Sequence, residues 1–385
     1  MMSIVTGPGA QPIRVAFVQQ GDPTRPDLWS GVSVGLIGGL REAGCEVVPV
    51  DAGSRTATRI ARRLRIGWAQ QSTSRAFAAF SSAAAARALR AAGPVDGIVM
   101  IGSGYQLRAE PPIVTYEDMT VALALRQPDP SYEAIGERAG RRWVERQRAI
   151  YGQARGCCVA SRWAADSLRR DYGVPEEKIH VIGFGNNARV EVASRDWSTP
   201  RYLWVGVDWE RKCGATVVEA FRRIRERHPE ARLDLVGSHP DLDAEGVTGH
   251  GRLPLGTEEG RRQYADLLKG ATCFLMPSRY EPFGIAYIDA AAAGLPSIGT
   301  TVGGAADAVG EGGRLVDPED TEQLTAAMLT LADPATAQAL GEIARQRAQL
   351  LTWRAVAERL LWAMEPAGFD LGPPTPFLSE PATSR

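Results

Sequence analysis

Short continuous apolar runs alternate along this chain with longer stretches in which apolar residues return every three to four positions. The first pattern belongs to strands buried on both faces, the second to helices with one buried face. Ile13–Gln19, Val47–Val50, Ile98–Ile101, Ile113–Tyr116, Cys157–Ala160 and Ile179–Ile182 read as one series of strands. Tyr202–Val205, Leu233–Val236, a strand that ends in His250-Gly251-Arg252-Leu253, Cys273–Met276 and the run after Pro296 read as a second. Between them the spacing predicts an apolar, glycine-bearing helix from Gly31 to Gly44, then helices over Thr56–Ile66, Phe77–Ala92, Tyr132–Tyr151, Arg162–Tyr172, Ala215–Arg227, Leu324–Leu331, Ala335–Leu350 and Trp353–Met364. Strands and helices in strict alternation predict α/β architecture with parallel sheets.

At 385 residues the chain exceeds one ordinary core, which implies two domains. Its 44% hydrophobic and 23% charged residues are those of a soluble globular protein, and a net charge of -1 gives no bulk attraction to nucleic acid or membrane. The five cysteines, Cys45, Cys157, Cys158, Cys213 and Cys273, are odd in number and lack metal-ligand spacing, so reduced thiols and a cytoplasmic location are expected. Met1–Gln11 has no signal-peptide pattern, and no apolar run reaches a membrane span.

The densest chemistry lies in Cys273–Thr301, CFLMPSRYEPFGIAYIDAAAAGLPSIGTT. A strand is broken by Pro277 and Ser278, Pro282 and Gly284 bracket a helix start, and Gly294 with Pro296 stops the helix. The helix is apolar nearly all round apart from Asp289, and a buried carboxylate needs a partner or a cleft. Glu281 stands eight residues earlier, ~12 Å away at helical rise. Two acids so spaced suit the two ends of an extended ligand, with a phosphate at the free N–H groups of Phe283, Gly284 and Ile285. Taken singly, a helix-capping acid and a satisfied core Asp are the plainer readings.

Glu281-Pro282-Phe283-Gly284 followed by Asp289 resembles the E-x7-E signature of the retaining glycosyltransferases of family 4. That resemblance implies the GT-B fold, two Rossmann-like parallel-sheet domains facing a cleft. It implies that Glu281 lies against the donor sugar and that Asp289, one methylene shorter than the usual Glu, holds the ribose. The resemblance extends through CVASRWAADSLRRDYGVPEEKIHVIGFGNN, the end of the first domain, with a hinge at Gly183, Gly185 and the Asn186-Asn187 pair. Domains are expected at 1–192 and 198–352, with 353–365 crossing back onto the first and 366–385, rich in proline, as a flexible tail.

Arg211 and Lys212 follow a second-domain strand and precede a helix, where a planar fork and a compact charge neutralise a diphosphate. The family places such a pair there, followed by Gly-Gly; here Cys213 replaces the first Gly. Together with Glu281 they are the expected catalytic residues, with stabilisation of the leaving diphosphate as the main task. Gly237 and Arg252 are expected near the base, and Gly303 near the phosphates. In the first domain, Gly31 offers a backbone N–H to a phosphate beside Trp29, itself a ligand contact or a loop anchor. Glu117 and Asp118 end a strand where family members carry T-x-H-D, Glu117 standing in place of the His; acceptor binding and a helix-capping Asp118 are both open.

The reading is a hexosyltransferase taking a nucleotide sugar, UDP- or GDP-linked by preference, to a hydroxyl of a glycan, lipid or small molecule. No metal or other cofactor is expected. A GT-B-like nucleotide-sugar epimerase is the alternative, against which stand only four histidines, none at an expected site. A two-lobed binding protein and a dehydrogenase are further rivals; no G-x-G-x-x-G follows the first strand. Arg55, Arg59, Arg62 and Arg63 line one face of Thr56–Ile66, either a solvated basic face or a weak membrane-surface contact.

Overall fold

The computed structural model describes residues 12–188, 190, 194–366 and 372–378. The chain forms two compact units, one running to Gly183 and taking back Trp353–Pro376, the other holding Phe184–Thr352 and resuming at Phe377. The division falls earlier than the expected 192. Asn186 N–H bonds to Leu351 O at 3.0 Å, and Asn187 N–H to the Asp289 carboxyl at 2.6 Å, so the hinge residues are tied into the second unit.

The first unit is built on β1 (Arg14–Gln19), β2 (Glu46–Asp51), β3 (Gly97–Ile101), β4 (Ile113–Glu117), β5 (Gly156–Val159) and β6 (Ile179–Val181). They lie in the order β2-β1-β3-β4-β5-β6, all neighbours parallel. Successive side chains of a strand leave on opposite faces. Ala16, Val18, Ile98 and Met100 accordingly pack in one cluster with Ala85 and Ile150 from the helices Arg75–Ala92 and Glu137–Gln153. The helix Trp353–Met364 docks on Val32–Glu42 through glycines that the chain can hardly replace: a Cβ on Gly39 would stand 2.1 Å from the Trp353 carbonyl.

The second unit comprises β7 (Arg201–Gly206), β8 (Arg232–Gly237), β9 (Val247–Gly251), β10 (Cys273–Leu275), β11 (Ser297–Thr300) and β12 (Gly313–Val316), in the order β12-β11-β10-β7-β8-β9. The chain winds outward from β7 to β9, then returns to the centre at β10. Strand order therefore reverses between β7 and β10, and the carboxyl ends of those two strands form the crevice where such sheets bind ligands. Trp204, Leu235, Phe221, Leu275 and Met328 are among the core residues beneath it.

Three expectations need correction. The helix expected over Tyr132–Tyr151 is two, Pro130–Glu133 and Glu137–Gln153, because Gly136 is extended (φ -61, ψ 148) and starts the second afresh. The helix Glu258–Gly270, capped by Thr257, and the short strand β12 were not among the predicted elements. In the tail, residues 367–371 and 379–385 lie outside the described residues, but Phe377 is 3% exposed. Its ring meets Phe283 edge-on at 6.4 Å, and Arg347 donates to its carbonyl at 3.2 Å. One aromatic side chain among prolines thus anchors this part of the segment. All five cysteines are free and buried, and among the described residues no helix is long and apolar enough to cross a membrane.

Candidate active site

The loop leaving β7 delivers two cations. Lys212 N–H bonds back to Asp208 O at 3.0 Å, and the indole of Trp204 donates to Lys212 O at 3.1 Å, so a core side chain fixes the lysine backbone. Cys213 follows with φ 54, a left-handed conformation that glycine takes without steric cost, and caps the helix Gly214–Arg227.

The loop leaving β10 delivers the acid. Glu281 N–H bonds to Val302 O at 3.1 Å and Gly304 N–H to Glu281 O at 2.8 Å, lacing the residue to the loop after β11. Gly303 makes that approach possible: its φ is +99, and a Cβ would fall 2.3 Å from Glu281 O. The two loops are joined by Arg279 N–H to Arg211 O at 2.8 Å.

All three predicted catalytic residues meet on one atom. Lys212 Nζ donates to Glu281 Oε2 and lies 3.0 Å from Met276 Sδ. Ser278 Oγ donates to the same carboxylate oxygen at 3.3 Å, and Arg211 Nη1 stands 3.6 Å from it. Arg211 also donates to Tyr280 O at 3.1 Å and places its guanidinium 5.1 Å from the Tyr280 ring. Lys212 and Glu281 are 8% and 7% exposed. Burial pulls the Lys212 ammonium below the ordinary lysine value, and the Glu281 carboxylate pushes it back.

Beside them Gly284, at φ 88, caps the helix Ile285–Ala292, with Phe283 buried behind it and Ile285 half-buried in its first turn. Asp289 turns elsewhere. Its Oδ1 accepts from Asn187 N–H and Ala188 N–H at 2.6 and 2.8 Å, with Tyr264 also bonded to the carboxyl. Burial pushes its pKa up to about 6 while those donors draw it down. The carboxyl expected at a ribose therefore ties down residues 187 and 188. Gly237 (φ +113) crosses β7 so closely that a Cβ would meet Gly206 O at 1.8 Å, and exposed Arg252 donates to Ser238 Oγ at 2.8 Å.

In the first unit Gly31 caps Val32–Glu42 at φ 78, after Trp29 and Ser30, which are also left-handed. The Trp29 ring stands edge-on to Tyr116 at 5.7 Å, the contact of a loop anchor. Asp118 lies half-buried in the turn after β4. Glu117, a candidate acceptor contact, accepts hydrogen bonds from Tyr151 Oη and, at 2.8 Å, from Gln147 Nε2. The reason is the helix Glu137–Gln153, which presents both partners to the end of β4. Burial, outweighing those two hydrogen bonds, raises its pKa from 4.5 to about 8.

That shift has a measurable consequence. The folded chain holds a proton on Glu117 between pH 4.5 and about 8 that the unfolded chain releases, so the associated stability is complete below 4.5 and is lost as pH rises through 8. Glu117→Gln keeps the hydrogen-bonding shape and is expected to flatten this decline. Melting temperatures of both forms at pH 5 and pH 8 check it; parallel declines would refute the protonated Glu117.

Met276, Ser278 and Tyr280 complete the site without having been predicted. An apolar strand residue, a turn serine and a loop tyrosine carry no local mark of such a role.

Three comparisons bear on this geometry. A family model described as glycosyl transferases group 1 matches residues 199–333. Mannosylfructose-phosphate synthase of Agrobacterium fabrum is 30% identical over 231 residues, 52% of this chain and 50% of that protein. MMP alpha-(1->4)-mannosyltransferase of Mycolicibacterium hassiacum is 30% identical over 244 residues, 59% of this chain and 58% of that one. The chain thus spans about half the length of the curated relatives it matches. Among solved structures, sucrose-phosphate synthase from Thermosynechococcus elongatus aligns with a TM-score of 0.64 at 21% identity, over 92% of this chain and 98% of that one. At that identity the likeness is one of fold.

Proposed function

We propose, from the premise that residues 199–333 are a glycosyl transferases group 1 domain within a GT-B fold, that this chain transfers a hexose from a nucleotide-diphosphate sugar to a hydroxyl acceptor. The observation that carries the reading is the meeting of Arg211, Lys212 and Glu281 at the crevice between β7 and β10. Cations and acid in contact suit a diphosphate subsite directly beside a sugar subsite.

The reaction we propose retains anomeric configuration. The bond from the anomeric carbon to the diphosphate oxygen breaks with its electron pair on that oxygen. Arg211, Lys212 and the helix start at Gly284 offset the developing charge. The acceptor hydroxyl attacks from the face that the diphosphate leaves, and its proton passes to the departing phosphate oxygen. Glu281 orients the sugar and holds Lys212 in register. The charge is carried by side chains, with no metal assigned a role. UDP and GDP are the favoured nucleotides.

Melting of the full chain with UDP-, GDP-, ADP- and dTDP-sugars tests the donor class. One nucleotide family is expected to stabilise by about 2.7 kcal/mol at a hundredfold excess over Kd. No response to any of them would remove the donor assignment. Proton NMR of the product from an α-linked donor reads the stereochemistry directly: an α product supports retention, and a β product excludes it.

A further inference from the structure

A wide surface depression of about 570 Å³ lies on the first unit, lined by Gln70, Thr73, Ser74, Arg75, Ala76 and Arg142, of which Arg75, Ala76 and Arg142 are exposed. It lies where Trp68–Thr73 ends and Arg75–Ala92 begins, beside the first turns of Glu137–Gln153. The latter two helices run back to the starts of β3 and β5. Their own beginnings, and the depression, therefore stand at the carboxyl end of the sheet, the end at which parallel sheets take ligands.

The lining contains two arginines and no acid, and neither Arg75 nor Arg142 makes an ion pair among the described residues. A third guanidinium stands behind them. Arg146, one turn beyond Arg142, donates to Ser72 O and, at 3.4 Å, to Ser74 O, bracing the corner of the depression. Its buried Nε has no hydrogen-bond partner among the described residues. Burial alone draws its pKa below the arginine value, with no carboxylate opposing. A partly desolvated cation with no offsetting charge is costly, and an anion in the adjoining depression relieves that cost.

We propose that this depression binds the phosphoryl group of a phosphate monoester. Guanidinium forks match its three oxygens and nearly two negative charges, where a carboxylate would leave most of the positive charge unanswered. Identification of the ester as the acceptor rests on the transferase reading; the site itself does not. Two sources share this chemistry, a soluble sugar phosphate and a lipid headgroup. Leu64 and Trp68, 65% and 52% exposed just ahead of Gln70 in the chain, provide apolar surface for the second.

The test uses the full chain, with inorganic phosphate, glucose 6-phosphate, and phosphatidic acid in phosphatidylcholine vesicles as probes, and chloride at equal ionic strength as the reference. Phosphate is expected to raise the melting temperature above chloride. Its affinity is expected to fall at least about tenfold in the Arg75→Ala, Arg142→Ala double variant and to persist in Arg222→Ala, an exposed arginine of the other unit. Vesicle binding lost in the double variant assigns a lipid-borne ester, whereas glucose 6-phosphate binding without vesicle binding assigns a soluble one. Phosphate no better than chloride, undiminished binding in the double variant, or binding of neither ester overturns the site. The melting response to the nucleotide sugar, recorded in parallel, verifies the fold of the variant. Its absence from the wild type alongside intact phosphate binding would count against the transferase reading alone.

Discussion

Transfer by a Lys212→Met variant is expected to fall by a factor of about 10²–10³ in kcat, the usual cost of removing one preorganised group that stabilises developing negative charge. The same change leaves Glu281, 7% exposed, without its buried cation, and breaking a buried ion pair from one side costs about 3–5 kcal/mol. A destabilised protein and a disarmed one must be told apart. Glu281→Gln added to Lys212→Met removes both charges, so the double variant is expected to recover most of the lost stability and none of the activity. Urea midpoints on one side and single-turnover rates on the other separate the two effects. Wild-type turnover in Lys212→Met would displace the diphosphate subsite from the crevice.

Gly303→Ala is expected to be nearly as damaging without touching a charge. The residue sits at φ +99, and the new Cβ would fall 2.3 Å from Glu281 O, a backbone atom that cannot swing aside. Left-handed strain and a forced shift each cost about 1–3 kcal/mol, giving ~2–6 kcal/mol together. The shift also loosens the bonds from Glu281 N–H to Val302 O and from Gly304 N–H to Glu281 O, and misplacement of a catalytic group by about 1 Å costs on the order of 10²-fold in rate. Gly270→Ala is the control. Nothing lies within 4 Å of its Cβ at the end of the helix Glu258–Gly270, and the change is expected to be neutral or stabilising by up to about 1 kcal/mol. Equal losses in the two variants would mean that Gly303 has no special place at the site.

Much of this was legible in the chain. Parallel strands buried on both faces appear as unbroken apolar runs, and ten of those runs lie where strands form, whereas the edge strand β9 is largely exposed and has no such run. The glycines at 237, 284 and 303, expected near the base, at a helix start and near the phosphates, all prove to have a left-handed backbone. Other features were misread for local reasons. Gly136 stands in a stretch whose composition is otherwise helical, and Phe377 is one apolar residue in a proline-rich segment; neither context shows what the backbone or the ring will meet. Glu117 illustrates the same limit. That it ends a strand follows from the pattern, but only the packing of Glu137–Gln153 decides that its carboxyl turns to Tyr151 and Gln147.

The sequence by itself determined most of the segments that form strands and helices, that they fall into two parallel-sheet units, and which acids and cations are out of place in an apolar setting. Those properties are local, set by side-chain period, turn residues and the cost of burying charge. The tertiary structure alone decided strand order, and with it the convergence of Lys212 and Glu281, 69 positions apart, on one carboxylate oxygen. It also decided that Asp289 ties down the backbone of 187 and 188, and that Arg146 lies behind a depression lined by Arg75 and Arg142. Contacts between distant segments depend on which strands become neighbours, and no local pattern of residues records that choice.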